Sequence, residues 1–298
     1  MVYAGLSSLA KGKVRYVLPG IVIIVAVLLV PIAAAVGLSF FSYPLLRPDL
    51  GIRFAGLDNF ARLLEDANFY RSMGRSVVFT LGAVAGEMVV GTLLALLLRG
   101  EVWGRTFFRV AFMVPMMMVP VVVGVAWRIF LLPDFTPLEG IFNALHIPFD
   151  TTKLLTDANW AMVSVIVADL WQWSPFVMIL VLANLQGIPG EIYEASKMDG
   201  AGWWRELRSI TLPLLGPGLA AVAILRGMDA MRTFDLVYIL TSGGPGSATE
   251  LVSLYNYKIA FSRYDMGYAS AISAAVMILL SVVIFGLLSW TNKGGSKR

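Results

Sequence analysis

The sequence has no cysteine, which excludes disulfides, thiolate metal sites and cysteine nucleophiles together. Its single histidine, His146, falls in a segment that reads as an external loop, so no paired imidazole ligands are available. Charge is also scarce, at 14% of residues against roughly 25% in soluble domains. No G-x-x-x-x-G-K-[ST] phosphate loop occurs, so the chain is not expected to bind and hydrolyse ATP by itself. H-E-x-x-H and G-x-S-x-G are missing too. A membrane-embedded enzyme with Glu87 or Asp169 as acid or base would need a constellation the sequence does not show. Nothing points to nucleic acid.

What is present is apolar. Hydrophobic residues make up 58% and the mean hydropathy is +0.78, which together read as an all-α integral membrane protein with one membrane domain over 1–298. Six spans are expected, at about 16–41, 76–98, 107–132, 160–185, 214–240 and 266–291. Each is near the roughly 20 residues that a ~30 Å hydrocarbon core requires. The first follows Lys11, Lys13 and Arg15 and resembles a signal peptide, with Ala33-Ala34-Ala35 as a mock cleavage site. Its uncharged run is too long for that, and an uncleaved span is expected. The first loop, Phe41 to Arg71, is polar and carries Pro44 and Pro48. Pro115 and Pro120 fall inside the third span. Basic residues at 11, 13, 15, 99, 105, 109, 197, 205, 208, 293, 297 and 298 abut one side. That bias places both termini in the cytosol.

Several ionisable groups fall at membrane depth, where each costs at least ~2.5–3.5 kcal/mol and usually faces a partner or a wet cavity. Arg226, Asp229, Arg232 and Asp235 alternate in sign at every third residue of span five, a spacing that can pair along one helix. Arg226 lies roughly 18 Å along the helix from Leu214, near the midplane. Glu87 and Asp169 fall at similar depth, so pairing of Arg226 with either is expected. Two readings stay open for these groups: a hydrophilic solute pathway, or an ion-pair network that only fixes helix packing. Trp171, Gln172, Trp173 and Asn184 in span four, with Tyr238 in span five, complete the pathway candidates. Indole faces and amides suit a sugar ring, although tryptophans in spans are also packing or interface anchors. Met116-Met117-Met118 reads as adaptable packing rather than a metal site.

The polar stretch from Gly187 to Pro217 is laid out like structure. Glu191 and Glu194 follow Pro189, where a helix N-terminus favours negative charge. Asp199-Gly200 gives a stop. A second helical run, with Trp203, Leu207 and Ile210 on one face, is expected to end at Pro213. Apolar Ile192, Ala195, Met198 and Trp203 in a water-facing loop suggest a docking surface.

Within that stretch, Glu194-Ala195-Ser196-Lys197-Met198-Asp199-Gly200-Ala201, then Ile210-Thr211-Leu212-Pro213 and Pro217, resembles the EAA loop of binding-protein-dependent ABC importer permeases. Ser196 and Leu207 are mild departures from the usual form. Trp171-Gln172-Trp173-Ser174-Pro175-Phe176, Phe234-Asp235-Leu236-Val237-Tyr238, Thr241-Ser242-Gly243-Gly244-Pro245 and Gly267-Tyr268-Ala269-Ser270-Ala271 extend the likeness to the carbohydrate branch. The maltose, trehalose and glycerol-phosphate permeases belong to that branch.

The resemblance implies type I importer architecture in a bacterial cytoplasmic membrane. It also implies a second six-span permease, expected to be non-identical, two cytosolic ATPases that hold ATP and magnesium, and an external solute-binding protein. No cofactor is expected on this chain itself. Loop 187–213 would dock on an ATPase through Glu191, Glu194, Ala195, Met198, Asp199, Gly200 and Trp203. The solute would be a sugar or sugar derivative, with an anionic phosphate or sulfonate as the alternative. A different class, a self-sufficient proton-coupled transporter using Glu87 or Asp169, would leave the layout of 187–217 without a purpose.

Overall fold

A computed structural model describes residues 2–46, 49, 51–100, 103–133, 136–146 and 150–295. Pro48, Lys297 and Arg298 lie outside the described residues, as do the side chains of Lys11, Lys13, Arg15 and Lys293. Among the described residues five helices are long and apolar enough to cross a membrane, and a bent helix pair brings the count to six if taken as one span. These are α1 (Val2–Leu38), α3 (Ala67–Leu97), the pair α4 (Arg105–Met117) and α5 (Pro120–Leu131), α8 (Ala158–Gln186), the helix running from Trp203 to Ala230, and α14 (Met266–Gly295). The chain divides into two compact units, Met1–Asp66 with Asn256–Leu279, and Ala67–Tyr255 with Leu280–Arg298.

In the first unit, the segment expected as a plain polar loop is structured. Strands β1 (Phe41–Ser42) and β2 (Arg53–Phe54) pair antiparallel, and helix α2 (Asp58–Glu65) follows. Asn59 Nδ2 donates to the carbonyls of Ser39 and Phe41, each at 2.9 Å, so one buried amide fixes the end of α1 against α2. The start of α14 docks on the same strand. A Cβ on Gly267 would collide with the Phe41 carbonyl, so the close approach requires glycine there. Tyr268 beside it hydrogen-bonds Asp66 at 2.5 Å beneath the Arg62 guanidinium, which in turn pairs with Asp265 at 2.7 Å.

In the second unit α3 and α8 form the central pair, and glycines on α3 let them meet. Gly82, Gly86 and Gly91 face Ile166, Leu170 and Val177, the small-residue contact by which helices associate in lipid. A Cβ at Gly91 would stand 2.6 Å from the Val177 Cβ and 2.8 Å from the Ser174 carbonyl oxygen, whereas one at Gly82 would meet only the tip of Ile166. Gly91→Ala should therefore destabilise the protein by about 1–3 kcal/mol, despite a helix-propensity gain of about 1 kcal/mol. Gly82→Ala should be nearly neutral. Thermal unfolding in detergent would show the contrast, and equal midpoints would sink the packing argument.

Two expected continuities fail. The third span does not run straight through its prolines: Met118 and Val119 are extended and the axes of α4 and α5 differ by 96°. Pro120 supplies no N–H and pushes the residue before it out of helical geometry, so the chain restarts with proline at the first helical position. The fifth span is not one helix to Leu240. α11 (Leu212–Ala230) stops, and Asp235 opens a separate helix, α12 (Asp235–Leu240). The break is held by Ser253 Oγ, which donates to the Thr233 carbonyl at 2.5 Å.

The second run of the polar stretch, α10 (Trp203–Glu206), does not end at Pro213 but flows into α11 through a π-turn at Leu207–Thr211. In that wider turn the Leu212 N–H reaches back to the Leu207 carbonyl, which makes room for the ring of a proline that has no N–H to offer.

Candidate functional site

Two sets of residues stand out in the second unit, one on the surface and one buried. The surface set is built on α9 (Gly190–Met198). Pro189 caps it from outside, Gly190 begins it and Glu191 sits in its first turn, where the carboxylate meets the positive end of the helix. Its other end is a full Schellman motif. The Ala201 N–H bonds the Ser196 carbonyl, the Gly200 N–H bonds Lys197, each at 3.0 Å, and Gly200 has φ +75°.

Only one face of α9 turns inward. Tyr193 and Ser196 are buried, and the Tyr193 ring lies 3.8 Å under the Arg99 guanidinium while its hydroxyl is 3.4 Å from Thr211 Oγ1. Arg99 also reaches Glu206 at 3.7 Å. Ser196, one of the two departures from the usual form, is buried with its Oγ unpartnered among the described residues. The outward face carries Glu191, Glu194, Ala195, Met198, Asp199 and Gly200, all exposed, with Trp203 beside them. Met198 is 88% and Trp203 61% exposed, unusual for apolar groups on a polar loop. A hollow of about 310 Å³ opens beside them, lined by Ile192, Ala195, Asp199, Arg205, Ser209 and Ile210. Sequence reasoning passed over Trp204, 74% exposed and edge-on to Trp203 at 4.7 Å, although the doubled tryptophan was the visible signal. It also passed over Tyr193, which only the three-residue spacing to Ser196 hinted at.

The buried set centres on Arg226 of α11. Its Nε and Nη2 clasp both oxygens of Glu87 on α3 at 2.6 and 2.8 Å, and Nη2 also reaches Asp169 on α8 at 3.1 Å. Nη1 bonds Asp229 at 2.7 Å, one turn along its own helix. The Trp173 ring covers the guanidinium at 4.7 Å, a cation–π contact. Arg226, Glu87 and Asp169 are at most 2% exposed, whereas Asp229 is half-exposed and Arg232, 3.6 Å from it, is 70% exposed. One guanidinium thus ties three helices through four charge-assisted bonds. Only the Asp229–Arg232 edge reaches the surface.

The remaining candidates are scattered. Gln172 is buried and donates to the Met118 carbonyl at 3.0 Å, satisfying an acceptor freed by the broken span. Trp171 is 40% exposed and stands edge-on to Trp127 at 6.1 Å. Asn184 lies at the far end of α8, against Gly218 and in a hollow shared with Pro189 and Ile192, next to the α9 surface. Asp235 and Tyr238 are both exposed on α12, where Tyr238 stacks on Phe234 at 5.3 Å. Asp235 is therefore not the next partner along the helix of Arg226.

Residues 87–294, from the buried carboxylate to the last helix, match the family of binding-protein-dependent transport system inner membrane components. The chain belongs to this family. The permease is 32% identical, over 91% of its own length and 90% of the relative's, to the trehalose/maltose transport system permease protein MalF of Thermococcus litoralis. It is also 32% identical to the sulfoquinovosyl glycerol transport system permease protein SmoG of Agrobacterium fabrum, over 89% and 85% of the two chains. Its fold is shared with a bacterial ABC transporter involved in the import of the acidic polysaccharide alginate. There the TM-score is 0.77 with 18% identity, over 97% of this chain and 98% of that one. The permease is thus a non-catalytic, multi-pass inner-membrane component of an ABC importer, related to several transporters of sugars and sugar derivatives.

Proposed function

We propose that this permease forms half of the translocation pathway for a sugar derivative bearing an anionic group, a phosphate or sulfonate. The observation that carries the reading is the relationship to the sulfoquinovosyl glycerol permease, together with two exposed arginines, Arg128 and Arg232. Arg226 is already neutralised by its three acids. Arg128 is exposed and has no carboxylate partner among the described residues, and Arg232 is 70% exposed on its half-exposed partner Asp229. A neutral sugar is the second reading, favoured by the equally similar trehalose/maltose permease and by the exposed Trp171 beside Trp127.

In either case α9 and the start of α10 would seat in a cleft of a cytosolic ATPase through Glu191, Glu194, Ala195, Met198, Asp199, Gly200 and Trp203. ATP and magnesium would be held on two such ATPases. A second six-span permease would complete the pathway, a solute-binding protein would deliver solute from outside, and both termini would be cytosolic. Closure of the ATPases would push on α9 and rock the permease as a rigid body.

The test is reconstitution of the importer with its binding protein in proteoliposomes. A sulfonated or phosphorylated sugar should raise ATP hydrolysis and drive uptake, with the neutral parent sugar inactive at the same concentration. Activity with the neutral sugar alone would shift the conclusion to the second reading.

A further inference from the structure

Away from both sets of residues, the first turns of α3 and the start of α8 flank an open hollow of about 420 Å³, lined among others by Arg71, Arg75, Asn159, Met162 and Ala248. That volume falls within the range of small-molecule sites. Arg71 and Arg75 are one helical turn apart, so their guanidinium groups share one face of α3. Neither has a carboxylate partner among the described residues. Arg75 donates a hydrogen bond to Ser247 Oγ at 3.0 Å, and Arg71 is exposed. The nearest acid in sequence on this rim, Asp157, spends its carboxylate on the backbone N–H groups of Asn159 and Trp160 as the cap of α8. Two uncompensated guanidiniums, a carboxamide and the apolar side of Met162 therefore meet at one hollow. Arginine forks suit the geometry of phosphate and sulfonate oxygens, and an apolar wall suits a sugar face.

We propose that this hollow is a receiving site in which Arg71 and Arg75 hold the anionic group of the incoming sugar derivative. The site rests on the anionic reading of the solute and on the expected outward orientation of the start of α3. Deeper in the membrane Arg226 is buried and its charge is already met by three carboxylates, which take four of its five N–H groups. The rim site supplies positive charge that the buried cluster does not. The Ser247 bond anchors Arg75 to the loop after α12, and Arg71 stands exposed beside it.

The probe is a glucose phosphate, with unmodified glucose as control, titrated onto the assembled importer in nanodiscs without its binding protein. The phosphate should bind and glucose should not, with affinity falling as salt rises. Arg71→Gln and Arg75→Gln should each weaken binding about tenfold, the loss expected for one charge-assisted bond. Ser247→Ala removes the tether without changing charge and should keep the binding. Undiminished affinity in the double glutamine variant overturns the site. So does a double variant whose only defect is weaker docking of the solute-binding protein, since the arginines would then serve a partner's carboxylate. These outcomes leave the function untouched if the wild-type importer still takes up an anionic sugar. Failure of the wild type to transport any anionic sugar sinks the functional reading instead, and this site with it.

Discussion

Replacing Arg226 by methionine should destabilise the permease by about 3–5 kcal/mol. The substitution leaves Glu87 and Asp169, each at most 2% exposed, facing one another with no cation between them. Their ionised forms are then stranded in a low-dielectric interior, and that penalty exceeds the value of the lost bonds themselves. Thermal unfolding of the assembled importer in detergent measures it. Replacing all three groups by apolar residues of similar volume, Arg226→Met with Glu87→Leu and Asp169→Leu, should recover most of the loss, because no unpaired charge remains. Uptake by that triple variant then separates the two roles open to the cluster. A brace predicts retained transport, since none of the three groups meets solvent in this structure. A solute-contacting role predicts a stable but silent importer.

The second large effect is expected at Gly200. Gly200→Asp should uncouple ATP hydrolysis from uptake, lowering transport by roughly an order of magnitude or more for an interfacial cost of about 1.4 kcal/mol or above. The physical case rests on what the position does not touch. A Cβ there meets nothing within 4 Å, and aspartate is among the residues that tolerate φ near +75°. Folding is therefore spared. What changes is the surface: a new carboxylate stands at the C-terminal, negative end of α9, amid exposed Glu194, Asp199 and Met198. Gly200→Asn, which shares the backbone tolerance but adds no charge, should remain close to wild type. If the asparagine variant fails equally, the defect is local strain rather than docking. If both variants transport normally, α9 is not the coupling surface.

Much of the buried cluster was legible because charge at membrane depth demands a partner, and the candidates within reach of Arg226 were few. Its sidedness was not legible. The alternating signs from Arg226 to Asp235 looked like one ladder, yet the helix stops at Ala230, and Asp235 faces solvent on another element. Local pattern cannot foresee this. The stop depends on Ser253, distant in sequence, taking the Thr233 carbonyl. Gln172 shows the same limit. As an amide between two tryptophans it read as a solute contact, whereas the broken span supplies a carbonyl at Met118 for it to satisfy.

By itself the sequence determined that this chain lives in a membrane, that about six of its segments are long and apolar enough to span it, and that ATP hydrolysis is not expected of it. These follow from the run lengths of apolar residues and the absence of a phosphate loop, both local properties. It also determined the α9 turn, because Gly200 after Asp199 specifies a left-handed cap without help from elsewhere. Only the tertiary structure decided which charges are neutralised and which remain available. Arg226 meets Glu87 and Asp169 from helices far away in sequence, whereas Arg71 and Arg75, no different in type, meet no acid among the described residues. Electrostatic compensation depends on distances across helices, and those are fixed by packing at contacts such as Gly91 on Val177, not by residue identity along the chain.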